Sequence, residues 1–185
     1  MKKIIVALLL ISANVLSAQT FTKINIDSVT GLVIFDEVVK VDSITQLELY
    51  SRGRQWFAVN FNSAKSVLEM EDKELGKLIG NAFQDIYFTK SFLADPPTKC
   101  YYTISLFVKD GKYKLVVSNF KIQAYPSQYD LNPKKYSLEQ YLTSKPDEDK
   151  GNQEIKVIAQ ILKVTNSISE SIKSVMKTTV KKDDW

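Results

Sequence analysis

Two glutamates in the first half of the chain have a spacing that could support hydrolytic chemistry. Glu69 and Glu71 stand two positions apart on a predicted strand, so they share one face with Val67. Two carboxylates held at a fixed separation can act as the acid and the base of glycoside hydrolysis. The alternative is a solvated strand face that leads into a polar turn.

Two further acids, Asp72 and Glu74, follow this pair and would add oxygen ligands of the kind that Ca²⁺ prefers. The sequence contains no EF-hand loop pattern, however, and its glycines near residue 80 lack the spacing of a phosphate-binding loop. We therefore expect no metal site and no cofactor.

A second candidate site is a segment rich in tyrosine and proline between residues 121 and 152. The tyrosine ring combines a flat apolar body with a polar tip, which suits sugar and protein ligands. Tyr101, Phe107 and Phe120 would extend this aromatic surface from the outer face of the preceding hairpin. The alternative is that the rings hold the long segment against the domain. The candidate ligand-binding residues are Tyr125, Tyr129, Tyr136 and Tyr141, with Lys134 and Lys135 between them.

The absence of histidine restricts the catalytic chemistry more than any residue that is present. Ser-His-Asp and Cys-His arrangements, and zinc sites built on imidazole, are excluded. Cys100 is the single cysteine, so the chain forms no internal disulfide. We expect a half-buried thiol at the start of a strand, the alternative being a bridge between two chains. These absences predict a protein that is not an enzyme.

The first eighteen residues have the three parts of a secretory signal. Met1-Lys2-Lys3 is positively charged, Ile4 to Ile11 is apolar but too short to span a bilayer, and small residues lead to Ala18. We predict cleavage after Ala18 and a location in the periplasm or at the cell surface. No cysteine follows that site to carry a lipid, and no later apolar run is long enough for a transmembrane helix.

The charge of the chain does not indicate a nucleic-acid partner. The sequence has 25 basic and 21 acidic residues, and removal of Lys2 and Lys3 leaves a net charge of +2. Nucleic-acid-binding proteins concentrate a larger positive charge on one surface. We therefore expect no nucleic-acid partner, and instead a protein or glycan partner in the cell envelope.

The apolar pattern of the first half predicts alternating strands around one helix. Ser43 and Gln46 have the spacing of a capping box at the helix start, and Gly80 marks a bulge or a close approach within a strand. The predicted elements are an irregular lead-in over 19–31, strands over 32–41, 66–71 and 78–86, and a helix from 43 to about 61.

The hairpin that follows is the clearest local prediction. Two alternating runs, 101–108 and 113–120, flank Lys109-Asp110-Gly111-Lys112, and Asp-Gly as a two-residue loop favours a type I′ turn. Closure at this turn fixes which residues face each other across the two strands. The predicted apolar pairs are Val108 with Tyr113, Leu106 with Leu115, and Ile104 with Val117, and the other face pairs Phe107 with Lys114, Ser105 with Val116, and Thr103 with Ser118.

The C-terminal part of the chain is predicted to end in a long amphipathic helix over 153–179. Before it, residues 137–142 favour one or two helical turns and residues 145–151 read as a charged linker. The apolar stripe of the last helix could cover the sheet or, alternatively, lie on a membrane surface. The stripe consists of Val157, Ile161, Val164, Ile168, Ile172 and Val175.

The element order β-α-β-β-β-β-α predicts an α+β domain in which helices cover one face of an antiparallel sheet. We divide the chain into a signal peptide (1–18), a lead-in (19–31), the α+β core (32–120), the tyrosine-rich loop and linker (121–152), the C-terminal helix (153–180) and a tail (181–185).

Several motifs of the core resemble a known family. Val38-Val39, Leu49-Tyr50, Trp56 and the hairpin sequence from Val108 to Tyr113 are similar to the bacterial domain of unknown function 4468. The resemblance covers about residues 32–120 and implies a TATA-binding-protein-like (TBP-like) fold in a short exported protein. It implies no activity, because the family has no characterised function, and the fold name does not imply DNA binding.

Together these features predict an exported, non-catalytic binding or structural module of the cell envelope whose ligand is unknown. Two alternatives stay open. One is a hydrolase that acts on envelope glycan through Glu69 and Glu71 alone, and the other is a membrane-peripheral protein that binds through its C-terminal helix.

Overall fold

The structure, a computed structural model, contains an open antiparallel sheet covered on one face by helices. It describes residues 21–22, 24–61, 67–87, 97–128, 130–143 and 148–177, with the backbone alone for 143 and 148–154. The predicted signal peptide and C-terminal tail lie outside the described residues.

Seven described strands pair in the order β1-β2-β6-β5-β4-β3, and β7 adds to β6 beyond the end of β2. This arrangement confirms the predicted α+β class with an antiparallel sheet. In chain order the elements are β1 Asn25–Ile26, β2 Val33–Lys40, α1 Gln46–Asn60, β3 Leu68–Asp72, β4 Lys77–Ile86, β5 Thr98–Lys109, β6 Lys112–Ala124, β7 Lys135–Ser137, α2 Leu138–Thr143 and α3 Glu148–Lys177.

The central hairpin has the predicted register, and all six predicted residue pairs face each other. The turn of this hairpin is not the predicted type I′ turn, because φ is positive at Gly111 but not at Asp110. A type I′ turn needs positive φ at both central residues, whereas positive φ at the second alone is the pattern of a type II turn. Asp110 is held in place by its carboxylate, whose Oδ1 accepts a hydrogen bond from the Gln46 N–H at 2.6 Å.

Helix α1 begins three residues later than predicted. Its N-cap is Thr45, whose side chain accepts a hydrogen bond from the Glu48 N–H, while Ser43 lies before the helix with φ +64°. The chain contains two overlapping capping-box patterns, Ser43 with Gln46 and Thr45 with Glu48. The second is used because Asp110 binds the backbone of Gln46 and sets the first turn there.

The predicted position of Phe120 on the outer face of the hairpin is wrong, because β6 contains a β-bulge. Tyr101 pairs with Lys121 but Thr103 pairs with Ser118, so β6 has one extra residue, and Asn119 adopts φ +55°. The bulge shifts the alternation of side chains by one position. Phe120 is therefore fully buried under the helices instead of extending the outer aromatic surface.

Gly80 fulfils the predicted role of a close-approach position. A Cβ built on Gly80 would lie 2.8 Å from Cε1 of Phe57 on α1 and 3.0 Å from the Val67 carbonyl. The opposing strand shifts its register between Leu68 and Met70. Only glycine lets β4 pass this close to the helix layer.

Three regions are more ordered than predicted. The polar lead-in contributes edge strand β1, whose Asn25 and Ile26 pair with β2. The tyrosine-rich segment returns to the sheet as β7, which pairs with Lys121 to Gln123 of β6. The helix α2 that follows has 6 residues, which confirms the one or two helical turns predicted over 137–142. Helix α3 begins at Glu148, inside the predicted linker.

The core lies between the sheet and helices α1 and α3. The apolar stripe of α3 is buried there, with Met176 in place of the less buried Val175 as its last fully buried residue. Trp56 of α1 donates from Nε1 to Ser171 Oγ at 2.9 Å and so joins the two helices. In the described ranges, no helix is both long and apolar enough to cross a membrane.

A charged group connects α3 to the sheet inside this core. The Glu37 carboxylate, 3% exposed, accepts a hydrogen bond from the Ser169 hydroxyl, and its Oε2 lies 2.9 Å from Lys173 Nζ. The nearby Tyr113 hydroxyl is buried and has no hydrogen-bond partner among the described residues. Burial, followed by the negative charge of Glu37, raises the pKa of Tyr113.

Candidate functional site

The described chain forms a pocket of about 490 Å³ where the end of β6 meets the segment that returns to the sheet as β7. The strand ends supply its floor, and the return segment supplies its wall. Its size falls within the range that small-molecule sites use. The lining residues are Thr98, Ile122, Gln123, Ala124, Asp130, Asn132, Pro133, Lys134, Tyr136 and Tyr141.

Two of the four predicted tyrosines line this pocket. Tyr136 lies on β7 opposite Ile122 and has 49% of its surface exposed. Tyr141 lies on α2 and packs partly buried against the core, so its ring supports the pocket from the side of the helix layer. Tyr136 therefore presents an exposed ring to a ligand, whereas the ring of Tyr141 is held by its packing against the core.

Gln123 positions the wall of the pocket. Its Nε2 donates to the Pro133 carbonyl at 2.8 Å, and its Oε1 accepts from the Tyr101 hydroxyl at 3.0 Å. The turn before Pro133 is stabilised by hydrogen bonds between the backbones of Ser127 and Asp130. The return segment is thus connected to the sheet by the Gln123–Pro133 hydrogen bond and by the pairing of β7 with β6.

Tyr125 lies outside the pocket, on the open face of the sheet. Its hydroxyl donates to the Asp85 carboxylate at 2.9 Å, and this hydrogen bond is the main reason that the pKa of Tyr125 is raised. The ammonium group of Lys99 lies 4.6 Å from the centre of the Tyr125 ring. Tyr129 lies outside the described residues.

The open face of the sheet has aromatic rings with lysines over them. Phe83, 53% exposed, contacts Tyr101 with 5.5 Å between ring centres. Lys99 Nζ lies 5.2 Å from the Phe83 ring centre, and Lys135 Nζ lies 3.5 Å from that of Tyr101. We name Phe83, Tyr101, Tyr125, Lys99 and Lys135 the aromatic patch.

The sequence predicts Tyr101 and Tyr125 as members of this patch and indicates Lys135 only as a neighbour of the tyrosines. Phe83 and Lys99 were not predicted. The alternation of β4 contains the missing signal, because Phe83 stands on the same face as the polar Asn81. Phe107, also on the open face, lies opposite Lys77 toward the hairpin turn. The predicted aromatic surface therefore exists in part, with Phe83 of β4 instead of Phe120 of β6 beside Tyr101.

The comparisons with known proteins concern the fold that builds this site. The family model of a domain of unknown function (DUF4468) with TBP-like fold matches residues 35–123. These residues are a DUF4468 domain. The match covers β2 to the end of β6, so it includes Gln123 and ends before the return segment that forms the pocket wall.

Two solved structures share the fold of this chain. A DUF4468 family protein from Bacteroides ovatus is 15% identical, with a TM-score of 0.65 over 83% of this chain and 91% of that one. A TBP-like protein from Parabacteroides distasonis is 13% identical, with a TM-score of 0.65 over 81% of this chain and 96% of that one. No curated protein matches the sequence.

The two candidate catalytic glutamates of the DUF4468 domain lie apart from the pocket, on edge strand β3. The register shift between Leu68 and Met70 disrupts the alternation that would place Glu69 and Glu71 on one face. The Glu71 carboxylate accepts a hydrogen bond from Arg54 Nε as an ion pair. The described residues contain no cluster of three or more potential metal-binding side chains, and Asp72 instead accepts from the Leu75 N–H.

Cys100 is fully buried on the helix-facing side of β5, deeper than the half-buried position that we predicted. Burial alone raises the pKa of its thiol to about 12. The reactive form of cysteine is the thiolate, so this thiol is chemically inert in the folded state. A bridge to a second chain would require the sheet to open.

Proposed function

We propose that this protein is an exported, non-catalytic binding module of the cell envelope, and that its pocket binds a glycan. The observation that carries the proposal is the composition of the pocket wall and floor. Tyr136 presents an exposed ring, and Asn132, Asp130 and Lys134 present polar groups around it. Sugars combine an apolar ring face with a rim of hydroxyls, which this combination matches.

Pre-organisation of the site also supports binding. Gln123 holds Pro133 and Tyr101 by two hydrogen bonds, so the wall need not be ordered when a ligand enters. A site that is already ordered loses less entropy on binding. The secretory signal supports a location in the envelope, where glycans are abundant.

A hydrolase that acts through Glu69 and Glu71 has less support. Glycosidases need two carboxylates on opposite sides of the scissile bond. Among the described residues that line the pocket, Asp130 is the single acid. Glu71 is engaged with Arg54, and the apolar stripe that a membrane-peripheral protein would use is buried against the sheet.

The proposal is tested by binding of the purified protein to an array of bacterial envelope glycans, followed by affinity measurements. Tyr136→Ala should weaken binding of the best glycan at least tenfold, because the exposed ring surface is lost. Tyr136→Phe should retain most of the affinity if the ring face is the main contact. Leu47→Ala, an exposed apolar residue at the other end of the sheet, is the matched control. Unchanged affinity in Tyr136→Ala would refute the proposed site.

A further inference from the structure

The open face of the sheet carries lysines at both of its ends. Strands β2, β4, β5 and β6 place alternate side chains on this face, and none of these is buried, whereas most of the intervening ones face the helix layer. We name eight lysines of this surface the lysine face. They are Lys40, Lys77, Lys109, Lys112 and Lys114 near the hairpin turn, and Lys99, Lys121 and Lys135 toward the other end.

Three of these lysines stand side by side at the hairpin end. Lys112 of β6 is directly opposite Lys40 of β2 on one side and opposite Lys109 of β5 on the other. Like charges directly opposite each other destabilise a sheet. The arrangement therefore opposes folding unless an external negative charge compensates it.

The acids of the same face do not balance this charge. Three aspartates stand there in the strand register, and each carboxylate has a contact already. Asp36 lies 2.9 Å from Lys114 Nζ, Asp72 accepts from the Leu75 N–H, and Asp85 accepts from the Tyr125 hydroxyl. The eight lysines and these three aspartates have a net charge of +5. Because the chain after residue 18 has a net charge of +2, its remaining residues sum to −3, so the charge is separated between this face and the rest of the molecule.

Exposed apolar side chains lie among the lysines. Val38 is 58% exposed and Phe83 is 53% exposed, and Phe107 stands between Lys114 and Lys77 in the strand register. Aromatic rings are enriched where lipid meets water, and lysine can lay its apolar stem on such a surface while its ammonium group reaches an anion. The composition of the face is therefore that of an interfacial surface.

The dimensions of the lysine face favour a broad partner. Four adjacent strands span about 14 Å, and β5 extends about 33 Å from Lys99 to Lys109. The positive charge is thus distributed over two dimensions, whereas a groove for one extended polymer would concentrate it along a line. A second copy of the chain docked face to face would oppose lysine to lysine. The partner that matches the sign, the breadth and the apolar component is an anionic lipid surface.

We propose that the lysine face binds the surface of a bilayer that contains anionic phospholipid. This inference goes beyond the glycan pocket and does not depend on it. Tyr136 pairs with the buried Ile122, so its ring lies on the other side of the sheet and stays accessible while the lysine face contacts the bilayer. The surface also differs from the apolar stripe of α3, which is buried in the core.

The test is co-sedimentation of the exported, processed protein with two kinds of vesicle. One consists of phosphatidylcholine alone, and the other contains an equal share of phosphatidylglycerol, which is anionic. The protein should bind the anionic vesicles at least tenfold more tightly, and this preference should shrink between about 50 mM and about 500 mM salt, since charge contacts at exposed sites are screened. Equal binding to the two vesicles, or binding to neither, would overturn the proposal.

A pair of charge-matched variants locates the contact. Lys40→Gln, Lys109→Gln and Lys112→Gln together should weaken binding to the anionic vesicles at least tenfold. The control removes the same charge from exposed positions of α3, as Lys156→Gln, Lys163→Gln and Lys177→Gln together, and should bind as the wild type does. Urea denaturation should show that the first variant is at least as stable as the wild type, because opposed like charges are removed. Equal loss of binding in the two variants would refute the lysine face as the contact.

The apolar component is tested by Phe83→Ala. This variant should weaken vesicle binding severalfold at both salt concentrations, because the contact of a ring with lipid is not screened by ions. A loss that vanishes at high salt, or no loss, would refute the contact between this ring and the bilayer.

The remaining outcomes separate this inference from the proposed function. Tyr136→Ala should leave vesicle binding unchanged, and the triple variant of the lysine face should leave the affinity for the best glycan unchanged, so either site can fail alone. Soluble polyglutamate provides the probe for an acidic protein partner. If polyglutamate binds at the three lysines and vesicles do not bind, the bilayer is refuted as the partner of this face.

Discussion

At the scale of single residues, the most informative group is the hydroxyl of Tyr113. It is buried next to the Glu37 carboxylate, and no described residue gives it a hydrogen bond. A buried polar atom without a partner retains its desolvation cost and gains nothing in return. We therefore expect Tyr113→Phe to keep the free energy of unfolding or to raise it by about 0.5–1 kcal/mol, as measured by urea denaturation at pH 7. A loss above about 1 kcal/mol would show that the hydroxyl has a favourable contact.

The same variant tests the response of the fold to alkaline pH. Burial raises the pKa of Tyr113 in the folded state, while the unfolded residue ionises near pH 10. Ionisation of Tyr113 therefore has no effect on the free energy of unfolding below about pH 10, and it lowers that free energy as pH rises above it, because the unfolded residue loses its proton first. Urea midpoints should fall less steeply between pH 10 and 11 for Tyr113→Phe than for the wild type. Parallel curves would refute this linkage.

The Glu37–Lys173 ion pair predicts a large loss of stability in a single variant and little or no loss in the double variant. Lys173→Met removes the cation from the buried Glu37 carboxylate and leaves the Ser169 hydroxyl as its hydrogen-bond donor among the described residues, which should cost about 3–5 kcal/mol. The double variant Glu37→Leu with Lys173→Met removes both charges and should be within about 1 kcal/mol of the wild type or more stable. Lys163→Met, at an exposed position of α3, is the control. Equal destabilisation in the single and double variants would contradict this account.

At the scale of elements, the hairpin turn and the turn between β3 and β4 meet the start of α1 at one end of the molecule. The Gly111 N–H donates to the Ile44 carbonyl, and Gln46 Nε2 donates to the Glu74 carbonyl. The Val108 N–H donates to Gly76, which lies in the second turn. This end is held by backbone contacts between three segments that are distant in the sequence.

Two glycines of this end separate backbone strain from crowding. Both have positive φ, but a Cβ on Gly111 would meet nothing within 4 Å, whereas one on Gly76 would lie 2.4 Å from the Val108 carbonyl oxygen. Gly111→Ala should cost about 1 kcal/mol, from the left-handed backbone alone. Gly76→Ala should cost roughly 1–3 kcal/mol more in urea denaturation. Equal losses would show that the close approach at Gly76 has no effect.

The elements that could be predicted from sequence are those that local pattern determines. The register of the hairpin follows from alternation around Asp110-Gly111, and the α3 stripe follows from helical spacing. The bulge at Asn119 was not predictable, because it depends on how β5 and β6 pair along their length, and it moved Phe120 to the core.

The pocket was predicted only as a set of tyrosines. Its wall depends on the return of β7 to β6 and on the bond from Gln123 to Pro133, which no local signal encodes.

At the scale of the whole molecule, the sheet has two different faces. One face is covered by α1 and α3 and supplies the core, while the other is open and carries the aromatic patch. The DUF4468 match ends at Gln123, and the return segment that completes the pocket follows it in the chain. We therefore expect the functional site at the border between the residues that match the family and the return segment.

Export is the prediction that belongs to this scale. A bacterium expressing the full chain should process it to a protein that starts at Gln19, found in the envelope or medium fractions. Intact-mass spectrometry of each fraction measures this directly. Ala18→Lys should prevent cleavage, because signal cleavage requires a small residue there, and the precursor should accumulate. A wild-type protein that keeps residues 1–18 in the cytosol would contradict export.

The measurement that tests the account most directly is an NMR titration of the ¹⁵N-labelled protein with the best envelope glycan from the array. The account predicts that amide shifts concentrate at Gln123, Asn132 and Tyr136, extend to Tyr101, and disappear in Tyr136→Ala. Shifts that centre on Glu69 and Glu71, or no shifts at saturating glycan, would contradict a glycan-binding pocket at this end of the sheet.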